Sequence, residues 1–390
     1  MQNPELASLL QRLRLQTVDG VHQAELDGRH YRLPPRLHEA ACVMKTQGPE
    51  QGFATLMQRW DVAATQQSAL RAELWQALTA LEQSEIKHGY IHAGVTVLPA
   101  SVVQRLSARL LPLFGLPAVC AVLLAFALLL LDLIVFHSVG GSELRRMDLS
   151  AADWLLGYLF TCAVLLFHEL GHATGLRAVG QIPQQIGFGF FLVFPVFYAN
   201  VSNAWLVARR SRFIVNLGGI YFQLIGALLL YAAIAFTDGH VRAFLSLAFK
   251  ANLAAACFVL IPFIRNDGYW LLSDCLGLPD LYQRAGGMCW VIFQRLRARV
   301  SISATEWFIA AYAVCNYSFL ALVILGLGRS IYRNAAQFGE IIHAGGANTL
   351  LLEHPALLVS SGITLLMFGV FTRPIIWRAY QHVKLKSRSI

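Results

Sequence analysis

Five consecutive residues, His168-Glu169-Leu170-Gly171-His172, carry the most concentrated chemistry in this 390-residue sequence. Residues four apart on a helix lie on one face about a turn apart, so both imidazoles can reach one metal ion. Glu169 stands beside the first of them and can face a water rather than the metal. Two histidines and an adjacent carboxylate at this spacing suit zinc-assisted hydrolysis, in which the carboxylate takes a proton from water as it attacks a peptide carbonyl. The blander alternative is a pair of packing histidines with a glutamate hydrogen-bonded to a neighbour. Three polar groups within five residues of an apolar stretch argue against it, because each is costly to bury without a partner.

Zinc takes three protein ligands in a catalytic site and leaves one position open. The best third candidate is Asp267, in Ile261-Pro262-Phe263-Ile264-Arg265-Asn266-Asp267-Gly268-Tyr269-Trp270. Pro262 interrupts helical bonding just before it, and Gly268 permits a close approach of the main chain to the metal. An isolated Asp-Gly is ordinarily a turn; beside the histidine pair the ligand reading is favoured. Asp274, further along, is expected to be dispensable for metal retention.

These residues must be held by elements that bury them, and composition says which kind. The chain is 56% hydrophobic and 14% charged, where a soluble domain carries about a quarter charged residues. Six stretches are apolar and long enough to span a bilayer: 116–136, 154–175, 213–236, 244–264, 307–327 and 356–377. The run from Ile186 to Tyr198 is shorter, bears Gly187, Gly189 and Pro195, and reads as a re-entrant or β-hairpin segment buried against protein. The expected fold is an α-helical polytopic membrane protein of about six transmembrane helices. A small N-terminal α+β domain precedes them, with residues 1–105 cytosolic and 106–390 embedded.

Charge fixes the orientation. Sixteen Lys and Arg flank the spans on one side, among them Arg177, Arg209, Arg210 and Arg212, against six on the other. The positive-inside rule then puts both termini in the cytosol. The net charge of +9 does not indicate nucleic acid, since residues 1–100 hold nine Lys/Arg against ten Asp/Glu. Seven scattered cysteines, with no C-x-x-C, imply neither a disulfide framework nor a thiolate metal site.

His168-Glu169-x-x-His172 in one span and Asp267-Gly268 after a later one together resemble the site-2 protease family of intramembrane zinc metalloproteases. Two stretches look closest to its bacterial peptide zinc metalloprotease branch: Pro262 to Asp274, and Phe194-Pro195-x-Phe197-Tyr198-x-Asn200-Val201-Ser202-Asn203-Ala204-Trp205. The resemblance covers about residues 110–275. It implies that His168, His172 and Asp267 ligate Zn2+, that Glu169 is the general base, and that the chain lies in a bacterial cytoplasmic membrane. The family usually places an asparagine before the proline of the Asp-Gly motif, to support the substrate carbonyl; Ile261 stands there instead. Asn200, Asn203 and Asn266 are the candidates to replace it.

Upstream, Val21–Leu26 and Arg29–Leu33 read as a hairpin around Asp27-Gly28. Three amphipathic helices follow, on Leu37/Ala41/Met44, on Phe53/Leu56/Met57/Trp60 and on Leu70/Leu74/Leu78/Leu81. This winged-helix-like plan resembles the recognition elements that bind leader peptides of ribosomally made, modified peptides, which capture the leader on a sheet edge. A merely stabilising or regulatory domain is the alternative.

The combined expectation is an endopeptidase acting on a small precursor peptide during maturation or export, beside membrane lipids and a peptide-modifying or export partner. The alternatives are regulated intramembrane proteolysis of a membrane-tethered protein, or a non-catalytic peptide-binding scaffold. A di-iron oxygenase would need further histidine boxes, and the remaining histidines form none.

Overall fold

The computed structural model describes residues 4–18, 20–27, 29–83, 91–136, 151–191, 194–278, 280–353 and 355–386. It divides into two compact units, Met1–Gly189 with Val196–Gly277, and Phe190–Pro195 with Leu278–Ile390.

The first unit opens with helix α1 (Pro4–Arg12) and strands β1 (Arg14–Val18), β2 (Val21–Leu26) and β3 (Arg29–Arg32). The strands form an antiparallel sheet in the order β1-β2-β3, with Arg14 opposite Glu25 and Gln23 opposite Arg32. The expected hairpin is therefore present, although Gly28 of its turn lies outside the described residues. Helices α2 (Pro35–Gln47), α3 (Pro49–Arg59) and α4 (Ala64–Gln83) follow. Proline opens α2 and α3, where its missing N–H has no intrahelical partner to lose. Leu9, Leu13, Leu26, Leu56 and Leu78 are fully buried in one core, each stabilising the fold by about 1.5–3 kcal/mol. Leu74 and Leu78 of α4 are core residues, with Leu70 and Leu81 packed at its margin. That stripe is packing, not a groove.

Strand β4 (Ile91–Leu98) and helix α5 (Ala100–Leu110) lead through a 3-10 turn at Leu111–Phe114 into α6 (Leu116–Phe136). Next come α7 (Ala151–Ala178), β5 (Ile186–Phe191), β6 (Phe194–Ala199), a second 3-10 turn (Ser202–Leu206), α8 (Arg209–Ala235) and α9 (Gly239–Val259). Helix α10 (Asp267–Leu276) ends this unit. Strands β4, β5 and β6 form a second sheet in that order. Within the apolar run, Ile186–Phe191 and Phe194–Ala199 are thus paired strands, as the hairpin alternative expected, and β4 joins them from far upstream. Gly94 and Gly187 leave room for the Tyr198 ring, which a Cβ at either would strike.

Helix α9 stops at Val259, short of the expected Ile264. Pro262 accounts for it: the residue before a proline is pushed out of helical geometry, and the proline offers no N–H. The main chain turns and restarts at Asp267, with Asn266 as an extended N-cap. Gly268 permits a close approach to the Leu260 main chain, since a Cβ there would overlap the Leu260 carbonyl. Gly277 closes α10 in the left-handed region at φ +67°.

The second unit holds α11 (Leu281–Ala285), α12 (Met288–Arg297), α13 (Ala304–Glu353) and α14 (Pro355–Lys386). The expected span 307–327 is only the first part of the 50-residue α13. Residues 328–353 contain no proline before Pro355, and the helix runs on through four glycines, Gly328, Gly339, Gly345 and Gly346. Asn334 of α13 donates to the Ser361 hydroxyl of α14 at 2.8 Å.

Among the described residues, five helices are long and apolar enough to cross a membrane: Leu116–Val135, Leu159–Ala178, Arg209–Ala235, Gly239–Val259 and Ala304–His343. The sixth expected span coincides with a shorter apolar stretch, Leu357–Arg373. The chain is a multi-pass helical membrane protein with a small strand content.

Candidate metal centre

Helix α7 carries His168 and His172 one turn apart, both buried. Their Nε2 atoms stand 3.1 Å from each other, and Asp267 Oδ2 lies 3.2 Å from each. These donor atoms, brought together from α7 and the start of α10, form a group that could hold a metal ion. The geometry permits a direct test. Ligands about 2.0–2.1 Å from one tetrahedral zinc stand about 3.3 Å from one another. The observed triangle has edges of 3.1, 3.2 and 3.2 Å. Asp267 Oδ2 is buried and has no well-formed hydrogen bond, although both imidazoles face it. Three convergent donors at these separations fit zinc.

Other groups orient the ligands. The His172 Nδ1 lies 2.9 Å from the Val215 carbonyl of α8, so it is the protonated nitrogen and Nε2 keeps its lone pair for the metal.

Glu169 stands beside the three donors rather than among them. Its Oε2 accepts the main-chain N–H of Ala199 at 2.6 Å, and its Oε1 stays 4.0 Å from His168 Nε2. Strand β6 thus anchors the glutamate beside the triangle but outside it.

The crossing of α7 over α8 depends on glycine. A Cβ on Gly171 would overlap the Gly218 carbonyl, and one on Gly218 the Gly171 carbonyl. A Cβ on Gly219 would come within 2.5 Å of both His168 Cε1 and His172 Nε2. Adjacent glycines inside an apolar span are the sequence signal for such a close helix contact. Gln223 of α8 and Asn252 of α9 are further buried polar residues that residue spacing did not single out. Asn252 donates to the Gln223 carbonyl at 2.9 Å, while both Gln223 side-chain polar atoms, Asn252 Oδ1 and His168 Nδ1 are buried without hydrogen bonds among the described residues. Polar residues inside spans were the available signal.

The three asparagines expected to meet substrate are mostly engaged in the fold. Asn200 donates to Gln184 Oε1 at 2.7 Å and accepts from the Ser202 hydroxyl at 2.8 Å. Asn203 donates to the Ile182 carbonyl at 3.0 Å. Asn266, adjacent to Asp267, donates to the Phe258 carbonyl at 3.0 Å, and its buried Oδ1 makes no hydrogen bond. An oxygen accepts rather than donates, so that atom suits a substrate N–H and not an oxyanion.

No protein-family model matches the chain. No solved structure matches it either. Over 142 residues the chain is 30% identical to the Putative peptide zinc metalloprotease protein YydH of Bacillus subtilis (strain 168), a stretch covering 36% of this chain and 54% of that one. The chain thus spans about half the length of that relative.

Proposed function

We propose that this protein is an intramembrane zinc endopeptidase that hydrolyses a peptide bond of a small precursor peptide during its maturation or export. The observation that carries the reading is the buried triangle of His168, His172 and Asp267 with Glu169 anchored beside it. The similarity to a protein named as a peptide zinc metalloprotease supports it.

In this reading His168, His172 and Asp267 hold the ion. Zinc, when bound, supplies a Lewis acid and lowers the pKa of water toward neutrality. The protein's own part is to aim groups and move a proton. Val215 fixes the tautomer of His172, and the Ala199 N–H fixes Glu169 Oε2. Glu169 is left to take the proton of the attacking water and return it to the leaving amine. The peptide bond breaks, and water supplies the hydroxyl of the new carboxyl and the hydrogen of the new amine. In this reading the protein lies in a bacterial cytoplasmic membrane with both termini in the cytosol and the metal near the cytosolic side, an orientation that the Lys/Arg asymmetry supports.

The test is metal content. Purified protein is expected to hold about one zinc per chain, and His168→Ala or Asp267→Ala is expected to bind zinc too weakly to keep it through purification. Elemental analysis that finds full zinc in Asp267→Ala would remove Asp267 from the ligand set.

A further inference from the structure

The stretch that supplies Asp267 runs on to a second carboxylate, Asp274, which the reading above does not use. Two turns separate them along α10, so they share a face. Asp274 is only 12% exposed in its side chain. Arg212 of α8 donates from Nε to Asp274 Oδ1 at 3.0 Å, and Asn216, one turn further along α8, donates from Nδ2 to Oδ2 at 3.1 Å. Each carboxylate oxygen therefore has its own donor, and both donors come from one helix.

Arg212 is itself held. Its side chain is 15% exposed, its Nη1 donates to the Val207 carbonyl at 3.1 Å, and its guanidinium lies over the Trp205 ring at 5.4 Å. Trp205 in turn meets Trp270 of α10 edge-on at 5.8 Å. Gly277, at the end of α10, leaves the space that Arg209 fills. Helix α8 is also the element whose Val215 carbonyl orients His172 and whose Gly219 lies against both histidines. One helix thus sets the histidines through residues 215 and 219, and the carboxylate helix through residues 212 and 216.

We propose that Arg212, Asn216 and Asp274 form a positioning latch that fixes α10 on α8, so that the Asp267 carboxylate stands at ligand distance from His168 and His172. The latch rests on the metal reading given above. It reverses the expectation from sequence that Asp274 is dispensable for metal retention.

The experiment is a double-mutant cycle on zinc affinity, read by chelator competition on the full-length protein in detergent. Four proteins are compared: the parent, Asp274→Asn, Asp267→Ala and the double variant. Asp274→Asn is expected to weaken zinc binding by about 10-fold or more, the scale of groups that orient metal ligands. In the Asp267→Ala background the same change is expected to do nothing further, because the latch acts through Asp267. Equal losses in both backgrounds mean general destabilisation and overturn the latch. Loss with Asp267→Ala but not with Asp274→Asn overturns the latch and spares the metal reading. No loss with Asp267→Ala removes Asp267 from the ligand set and overturns the latch with it. If Asp274→Asn does not fold, Asn216→Ala, which keeps the ion pair, runs through the same cycle. It is expected to give a smaller loss confined to the Asp267 background, and its absence overturns the latch.

Discussion

A general base inside a membrane protein needs one oxygen held and one left to work. Glu169 has that arrangement, with Oε2 on the Ala199 N–H at 2.6 Å and Oε1 turned toward the histidine pair. Glutamine in its place can still accept the Ala199 N–H through its carbonyl oxygen, so the fold and the metal are expected to survive. What glutamine cannot do is take a proton. Cleavage by Glu169→Gln is therefore expected to fall by at least ~10²-fold at unchanged zinc content. Substantial turnover by this variant would assign the base to another group.

Between elements, the histidines are set by how closely α7 and α8 approach. Main chain meets main chain at Gly171 and Gly218, and Gly219 faces the imidazoles themselves. A methyl group at Gly219 must displace His168 or His172 or push the helices apart, and overpacking of this kind costs about 1–3 kcal/mol. Gly219→Ala is expected to weaken zinc binding by ~10-fold or more while the helical circular dichroism signal is kept. Gly226→Ala, whose added Cβ would meet only ordinary contacts at 3.8 Å and beyond, is the matched control. Equal zinc affinity in the two variants would show that the α7–α8 approach has slack at the site.

At the scale of the whole molecule, the open question is how substrate arrives. Strand β3 is an edge of its sheet among the described residues. The Leu33 N–H bonds the His22 carbonyl at 2.9 Å. Antiparallel pairing alternates, so the Tyr31 main chain also faces β2, opposite Ala24. The outward N–H groups are then those of His30 and Arg32, and a leader peptide added as a strand would pair with them. His30→Pro removes one outward donor and no ladder bond, whereas Tyr31→Pro would damage the sheet. If the N-terminal region captures substrate, His30→Pro in the full chain is expected to raise KM several-fold with kcat and zinc content unchanged. An unaltered KM would make the region structural.

The sequence determined what is local. Helical periodicity put His168 and His172 on one face, apolar length marked the spans, and the Asp27-Gly28 hairpin and three N-terminal helices follow from turn chemistry and leucine spacing. The Asp-Gly after a proline could be singled out because few residue types ligate zinc. Tertiary structure decided the rest. Ile91–Leu98 pairs with a strand some ninety residues later, and no short-range pattern carries that partnership. The Ala199 N–H on Glu169 and the Val215 carbonyl on His172 are main-chain groups, which every residue possesses, so side-chain identity cannot announce them. Asp274 reads as an unremarkable acid until α8 brings Arg212 and Asn216 to its two oxygens. Candidate ligand types are written in the sequence, but the 3.2 Å that brings Asp267 to His168 and His172 is set by how separate helices pack.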